Sequence, residues 1–255
     1  MRASERREHI LAWVRSGKAR VDELARALDV TESTIRRDLA RLDADGKITR
    51  TYGGAVVGHG REPSLHEREL AARQEKDAIA RHAAELVGGD GDTVLLDAGT
   101  TTGRLAHHLR VHTGLTVATS GLSALNELAG ADGVTLILLG GHVRHVSQGV
   151  VGPYAEMVLR RLTVDRAFLG ADGLVAGRGI CEAEPTQAAL KELMAGQARE
   201  VYVLADSTKL GQAPLDAWAP LPPAWTLITD DGARPEQLAP FRELTGVRVV
   251  TASTG

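Results

Sequence analysis

Residues 20–57, RVDELARALDVTESTIRRDLARLDADGKITRTYGGAVV, decide how the first part of this 255-residue chain is read. Leu24 and Leu28 lie one turn apart and mark the inner side of a short helix. Asp29-Val30-Thr31 then reads as a tight turn, with Thr31 placed to cap the following helix through its hydroxyl. In that second helix Ile35, Leu39 and Leu42 recur at i, i+4 and i+7, which draws one apolar stripe. Ser33, Thr34, Arg36, Arg37 and Arg41 are left facing outward. Hydroxyls at a helix start followed by adjacent arginines suit a helix laid in the major groove of duplex DNA. There guanidinium groups reach phosphates or guanine edges, and hydroxyls reach phosphates or bases. After Gly46, KITRTYGGAVV alternates about a Gly-Gly turn and reads as a two-stranded wing, adding Arg50 and Tyr52 to the candidate DNA contacts. The plainer alternative is a three-helix packing unit whose arginines form a solvated face. Turn, cap, stripe and basic side all agree on the DNA-reading form.

Working outward, ASERREHILAWVRS (3–16) starts this head with a helix whose Ile10, Leu11 and Val14 pack on the other two. GHGREP (58–63) reads as a linker. From Ser64 to about Val87 the pattern is helical again, and this segment either docks on the rest of the chain or pairs two subunits. The expected division is a winged helix-turn-helix domain over 1–57, a linker and the start of a docking helix over 58–75, and a larger domain over 76–255.

From Asp92 onward, short apolar runs alternate with helical patterns. The strand candidates are TVLLD (93–97), LTVAT (115–119), VTLILL (134–139), RAFLG (166–170), VYVLA (201–205), TLIT (226–229) and VRVVT (247–251). Helical patterns fall at 101–109, 121–129, 153–161, 186–198 and 235–244. Strands apolar on both faces and joined by helices indicate a parallel sheet covered on both sides. The larger domain is therefore expected to be an open, wound α/β domain, with its ligand beyond the carboxyl ends of the strands.

Charge divides in the same place. The chain carries a net −3, but residues 1–57 hold 12 Lys/Arg against 9 Asp/Glu, and the remainder 18 against 24. A mildly basic head on an acidic body fits a DNA reader attached to a second function. The single cysteine, Cys181, excludes an intramolecular disulfide and fits a reducing compartment. MRASERREHILAW has no apolar core of a signal peptide, and no apolar run approaches membrane-spanning length. These features point to a cytoplasmic protein.

The strand ends carry the chemistry. TVLLD leads into Asp97-Ala98-Gly99-Thr100-Thr101-Thr102, where a glycine and three hydroxyl residues at a helix N-terminus offer N–H and O–H donors to a phosphate. This is neither a Walker A loop nor a G-x-G-x-x-G fingerprint. The plain alternative is a capped turn with the threonines packing locally. LTVAT ends in Thr119-Ser120-Gly121, VTLILL in Gly140-Gly141, RAFLG in Gly170-Ala171-Asp172-Gly173 and VYVLA in Ala205-Asp206-Ser207-Thr208-Lys209. Small and hydroxyl residues converging on one sheet edge suit a small, polyhydroxylated, phosphorylated ligand. In EAEPTQAALKELM, Pro185 fits the first helical position with Glu184 just outside it. Gln187 and Lys191 share a face, and Lys191 reads either as a ligand contact or as a surface lysine. His107, His108, His142 and His145 show no metal spacing, so neither metal nor cofactor is assigned. Cys181 reads as a small buried residue rather than a nucleophile.

With these residues in view, the chain resembles the DeoR family of transcriptional regulators over nearly all its length. The head is similar in V-x-E-L-A, S-T-I-R-R-D-L (33–39) and R-T-Y-G-G-A (50–55). The body is similar in E-K-x-x-I-A (75–80), L-D-A-G-T-T-T (96–102), L-L-G-G (138–141), V-G-P (151–153), F-L-G-A-D-G (168–173) and L-A-D-S-T-K (204–209). The resemblance implies a sensor fold similar to ribose-5-phosphate isomerase, with a phosphorylated sugar or related metabolite where the strand ends converge. It implies that Gly99, Thr100, Thr101 and Thr102 hold phosphate, and that Asp97, Thr119, Ser120, Gly140, Gly141, Asp172, Lys191 and Lys209 line the rest. Thr119-Ser120 stands where the family often has Thr-Asn, and the stretch 181–187 also departs from the family pattern. The implied partners are operator DNA, a sugar-phosphate effector and a second or further copies of the chain, as homodimer or homotetramer. An isomerase with a helical appendage is the alternative, although the isomerases place an acid directly after their Gly-Ala-Asp and this chain has Gly173. A DNA binder with no effector would leave the hydroxyl-rich strand ends without a purpose.

Overall fold

The computed structural model describes residues 3–15, 20–44, 48–51, 54–57, 62–88 and 90–255. The chain divides into two compact units, Met1–Glu62 and Pro63–Gly255.

The smaller unit holds α1 (Ala3–Arg15), α2 (Val21–Ala27), α3 (Glu32–Ala44) and an antiparallel pair, β1 (Ile48–Thr51) and β2 (Gly54–Val57). Its core is Ile10, Val14, Val21, Leu24, Ile35, Leu39, Leu42 and Ile48, with Leu11 and Leu28 partly buried against it. These are the stripes drawn by the helical spacing. The turn between α2 and α3 places Asp29 at φ 50°, a left-handed conformation that a short polar side chain tolerates. Arg6 of α1 pairs with the buried Asp38 of α3 at 2.5 Å, which fixes the outer helix to the second helix of the motif.

The larger unit begins with α4 (Leu65–Leu70) and α5 (Arg73–Glu85). The helical pattern read continuously from Ser64 to Val87 is broken at Ala71-Ala72, where Ala72 takes φ 50°. A left-handed alanine costs about 1 kcal/mol or more. The break is held by the buried Lys76, whose ammonium donates to the carbonyls of Arg68 and Ala71 at the end of α4. Burial, and secondarily the nearby Lys209, lowers the Lys76 pKa to about 8. Ser64 opens α4 with a reciprocal capping box to Glu67.

After these helices come β3 (Thr93–Leu96), α6 (Thr100–Leu109), β4 (Leu115–Thr119), α7 (Leu122–Leu128), β5 (Val134–Leu138), β6 (His142–Arg144), β7 (Gly149–Val151), α8 (Pro153–Leu159) and β8 (Val164–Gly170). The chain continues through β9 (Gly173–Val175), β10 (Gly179–Glu182), α9 (Pro185–Gly196), β11 (Ala198–Leu204), β12 (Ala217–Ala219), β13 (Trp225–Asp230), α10 (Pro235–Arg242) and β14 (Val247–Ala252). Seven of these strands form one parallel sheet in the order β14-β13-β11-β8-β3-β4-β5. They are the seven apolar runs read from the sequence.

The sheet is buried on both sides because successive residues alternate between two cores. Leu95, Ala167, Leu169, Val203 and Leu227 face one core, with Leu159, Met194, Leu238 and Phe241 from α8, α9 and α10. Val94, Leu96, Phe168, Leu204 and Ile228 face the other, with Ile79, Leu105 and Leu128 from α5, α6 and α7. Each Val, Leu, Ile, Met or Phe among them contributes roughly 1.5–3 kcal/mol on burial. From β3 the chain steps outward through β4 to β5, then crosses back to lay β8 on the other side of β3. The direction of winding reverses between β3 and β8, and ligands of open α/β sheets collect at such a reversal.

Two small sheets were not anticipated from the sequence. The β6–β7 hairpin folds over the carboxyl end of β4, and β12-β10-β9 forms a three-stranded antiparallel sheet beyond β8. Both border the reversal point.

Candidate functional site

A cleft opens at the carboxyl ends of β3 and β8, lined by Arg68, Ala98, Gly99, Thr100, Thr101, Gly170, Ala171, Asp172, Glu182, Gln187, Lys191 and Lys209. Each wall follows from a local rule. The β3–α6 turn brings Gly99, Thr100 and Thr101 to the N-terminus of α6, where backbone N–H groups have no partner within the helix. Thr102 points the other way: its hydroxyl donates to the Gly99 carbonyl at 3.1 Å and ties the first turn together. The turn is packed against glycines. A Cβ on Gly149 of β7 would lie 2.6 Å from the Ala98 methyl, and one on Gly121 would lie 3.0 Å from the Ala98 Cα.

Lys191 on α9 is buried rather than superficial, at 2% exposure. Its ammonium lies 2.7 Å from Asp97 Oδ2 and 2.5 Å from Glu182 Oε1, and donates to the Gly170 carbonyl at 2.6 Å. Asp97 also accepts from the Gly170 N–H at 3.1 Å, so it fastens the ends of β3 and β8 to each other. Burial works against the Lys191 charge, but Asp97 and Glu182 outweigh it and hold its pKa above the ordinary lysine range. Burial pushes the Glu182 carboxyl up to about 8, with Lys191 pulling against the rise and Asp172 and Asp97 adding to it. One buried ammonium thus serves two carboxyl groups, Asp97 and Glu182.

The remaining cations are spoken for by oxygen atoms. Lys209 donates to the Ala171 carbonyl at 2.7 Å and lies 4.0 Å from Asp206. Arg68 reaches in from α4 to Asp172 Oδ1 at 3.0 Å. Three side-chain oxygens of the lining, Glu182 Oε2, Gln187 Oε1 and Asp172 Oδ2, are buried with no hydrogen-bond partner among the described residues.

The structure thus gathers Gly99, Thr100, Thr101, Asp172, Lys191 and Lys209 in the cleft, with Asp97 directly behind it. It does not place Thr119, Ser120, Gly140 or Gly141 on the lining. The Thr119 hydroxyl donates to the Leu96 carbonyl and accepts from Gly121 N–H, joining β4 to β3. The Ser120 backbone pairs with Leu96 and Val150. Gly140 and Gly141, at φ 77° and 118°, turn the chain from β5 into the hairpin. A Cβ on Gly141 would meet the Val151 carbonyl at 2.5 Å. Their smallness serves chain geometry. Arg68, Glu182 and Gln187 line the cleft without having been read as ligand contacts from the sequence. For Gln187 the signal was present, because it shares a helix face with Lys191. Pro185 begins α9, with Glu184 as the residue before it. Cys181 is fully buried, exchanges hydrogen bonds with Leu215, and burial raises its thiol pKa to about 11.

In the smaller unit, Thr31 precedes α3 and its hydroxyl accepts from the Thr34 N–H at 3.3 Å while lying 2.8 Å from Ser33 Oγ. Ser33, Arg36, Arg37 and Arg41 are exposed and Thr34 is half-buried, on the side of α3 opposite its apolar stripe. Arg36 pairs with Glu32 one turn earlier at 3.0 Å. Arg50 is described in its backbone, paired with Ala55 across the wing. Tyr52 lies outside the described residues.

Comparison with known proteins matches residues 6–60 to the DeoR-like helix-turn-helix domain and residues 71–231 to the DeoR C terminal sensor domain. The chain is 36% identical over 238 residues to the uncharacterized HTH-type transcriptional regulator YulB of Bacillus subtilis, covering 92% of each. It is 33% identical over 252 residues to the lactose phosphotransferase system repressor of Streptococcus mutans, covering 96% of this chain and 99% of the relative. Among solved structures, ribose 5-phosphate isomerase A from Methanocaldococcus jannaschii aligns at 19% identity over 55% of each chain, with a TM-score of 0.40. No helix among the described residues is long and apolar enough to cross a membrane.

Proposed function

This chain belongs to the DeoR family of DNA-binding transcriptional regulators, and we propose that it represses sugar-metabolism genes and leaves its operator when a phosphorylated sugar binds. In this reading α3 enters the major groove. Thr31, Ser33 and Thr34 approach the phosphates near its start, and Arg36, Arg37 and Arg41 reach phosphate or base edges. Arg50 and Tyr52 of the wing contact the flanking backbone. The protein acts in the cytoplasm as a homodimer or homotetramer, its heads meeting half-sites about 34–36 Å apart or a multiple of that.

The observation that carries the effector half of this reading is the composition of the cleft at the reversal between β3 and β8. It collects the N-terminus of α6, the Thr100 and Thr101 hydroxyls, Lys209 and Arg68 around one opening. Helix N-terminal N–H groups and cations together favour a phosphate. The repressors among its relatives that are named for sugar systems support a sugar as the phosphate's carrier.

Release follows from linkage. An effector that binds the DNA-incompetent arrangement more tightly lowers operator affinity by the same factor, and about 1–3 kcal/mol of coupling gives a 5–150-fold change. The test is a mobility-shift titration of the full chain on its own upstream region, at fixed modest salt, with and without sugar phosphates. Retardation reversed by a sugar phosphate, but not by the unphosphorylated sugar, is the expected result. Failure to retard this DNA with folding confirmed, or retardation that no sugar phosphate alters, would overturn it.

A further inference from the structure

The cleft is lopsided in its hydrogen-bonding capacity. One side offers donors: the N–H groups that open α6, Lys209 and Arg68. The other side presents oxygen atoms without a hydrogen-bond partner among the described residues, namely Glu182 Oε2, Gln187 Oε1 and Asp172 Oδ2. Glu182 is 1% and Gln187 6% exposed, and the Asp172 side chain 8%. A buried polar atom without a partner costs about 1–3 kcal/mol. Three in one lining would be wasteful unless something else completes them.

Each of the three atoms sits on a different element, and the two carboxyl groups have their other oxygen committed to a cation. Glu182, the last residue of β10, gives Oε1 to Lys191 and leaves Oε2 over. Asp172, just after β8, gives Oδ1 to Arg68 and leaves Oδ2 over. Gln187, one turn before Lys191 on α9, leaves Oε1 over. The surplus therefore arises from three independent local arrangements that share only the cleft.

We propose that Glu182, Gln187 and Asp172 form the selecting wall of the effector cleft, receiving neighbouring hydroxyl groups of a polyhydroxylated ligand whose anionic end rests at α6. This rests on the effector reading above and adds which residues choose the carbon chain. A hydroxyl group can both give and take a hydrogen bond. It suits a wall that mixes two carboxyl groups and an amide oxygen better than a donor-only ammonium does. The wall also rejects deoxygenated analogues, because an apolar position would leave its oxygens buried and unpaired.

The experiment uses thermal-shift and calorimetric titration of the full chain with inorganic phosphate and two matched pairs. The pairs are ribose 5-phosphate with 2-deoxyribose 5-phosphate, and glucose 6-phosphate with 2-deoxyglucose 6-phosphate. The expected result is that at least one hydroxylated member binds about tenfold or more tightly than both its deoxy partner and inorganic phosphate. Gln187→Met, close in size but without the amide oxygen, reduces that preference several-fold while leaving inorganic phosphate affinity unchanged. Without ligand, the same variant melts at the same temperature as the parent or higher, since it removes an unsatisfied buried atom. A lower melting temperature for unliganded Gln187→Met would assign the side chain to the framework and overturn the inference. Equal binding of hydroxylated and deoxy partners, or sugar phosphates no tighter than inorganic phosphate, would do the same. Because inorganic phosphate reports on the anionic end separately, either result can sink the selecting wall while the operator assay still upholds the effector reading.

Discussion

Arg68, on α4, reaches Asp172 at the carboxyl end of β8 over 3.0 Å, with both side chains about nine-tenths buried. The pair spans 104 positions of sequence and closes one side of the cleft between β3 and β8. Charged hydrogen bonds of this kind contribute roughly 1.5–3 kcal/mol. An anion in the cleft competes with Asp172 for the same guanidinium. Arg68→Ala is therefore expected to destabilise the larger unit by about 1.5–3 kcal/mol in urea denaturation. It is also expected to retain operator binding while blunting release by effector. Undiminished release in this variant would remove Arg68 from the signalling route.

Lys191 answers for two buried acids at once. Replacing it by Met leaves Asp97 and Glu182 facing each other without a cation, a loss on the order of 3–5 kcal/mol. Lys191→Arg is not expected to rescue stability, because a planar fork cannot occupy the point that meets Asp97, Glu182 and the Gly170 carbonyl together. Equilibrium unfolding of the two variants checks both statements, and a stable Lys191→Met would contradict them.

Glu182 should impose a pH dependence of definite sign. Its folded pKa, raised by burial to about 8, lies above the unfolded value near 4.3. The folded state thus holds the proton more firmly. The contribution is fully present below the unfolded pKa and is lost as pH rises toward about 8. Urea midpoints of the parent should fall between pH 5 and pH 8 relative to those of Glu182→Gln, which cannot titrate. Parallel curves for the two proteins would show that Glu182 is ionised throughout.

On the DNA side, Arg36 and Arg37 differ in what they must give up. Arg36 is held by Glu32 at 3.0 Å on an exposed surface, a pair worth only about 0–1 kcal/mol and easily exchanged for phosphate. Arg37→Ala and Arg36→Ala should each weaken operator binding, and a lost phosphate contact should lower the salt slope by about one. Glu32→Ala should tighten binding slightly by freeing Arg36. Sugar-phosphate affinity of the larger unit should be unchanged in all three. Fluorescence anisotropy across a salt series separates these outcomes, and a matched loss of both activities would contradict separate roles.

The long parallel strands were readable because residues buried on both faces form unbroken apolar runs, as in TVLL and VYVLA. The α2–turn–α3 unit was readable because cap and stripe fall at fixed offsets. The hairpin HVR/GVV and the strands GLV, GICE and AWA are three or four residues long and carry no period of their own. They exist because glycines let backbones approach. Glu182 entered the cleft on one of those short strands, and only its apolar neighbours Ile180 and Cys181 hinted at burial. Arg68 gave no signal at all, since one arginine among the charged residues of α4 looks like any solvated side chain. Thr119 and Gly140-Gly141 lie off the lining, because hydroxyls and glycines at strand ends also serve the backbone. Lys191 had two readings from sequence, and its burial between Asp97 and Glu182 removes the superficial one.

A Cβ added at Gly149 would come within 2.6 Å of the Ala98 methyl, and one at Gly121 within 3.0 Å of the Ala98 Cα. Enlargement at either glycine would press on the turn that opens α6. Evolution or an engineer wishing to retune this sensor must therefore leave the floor untouched and work on the opposite bank, around β10 and α9. Natural divergence in metabolite preference should accumulate there, and deep mutational scanning for altered inducers should return almost nothing from positions 121 and 149.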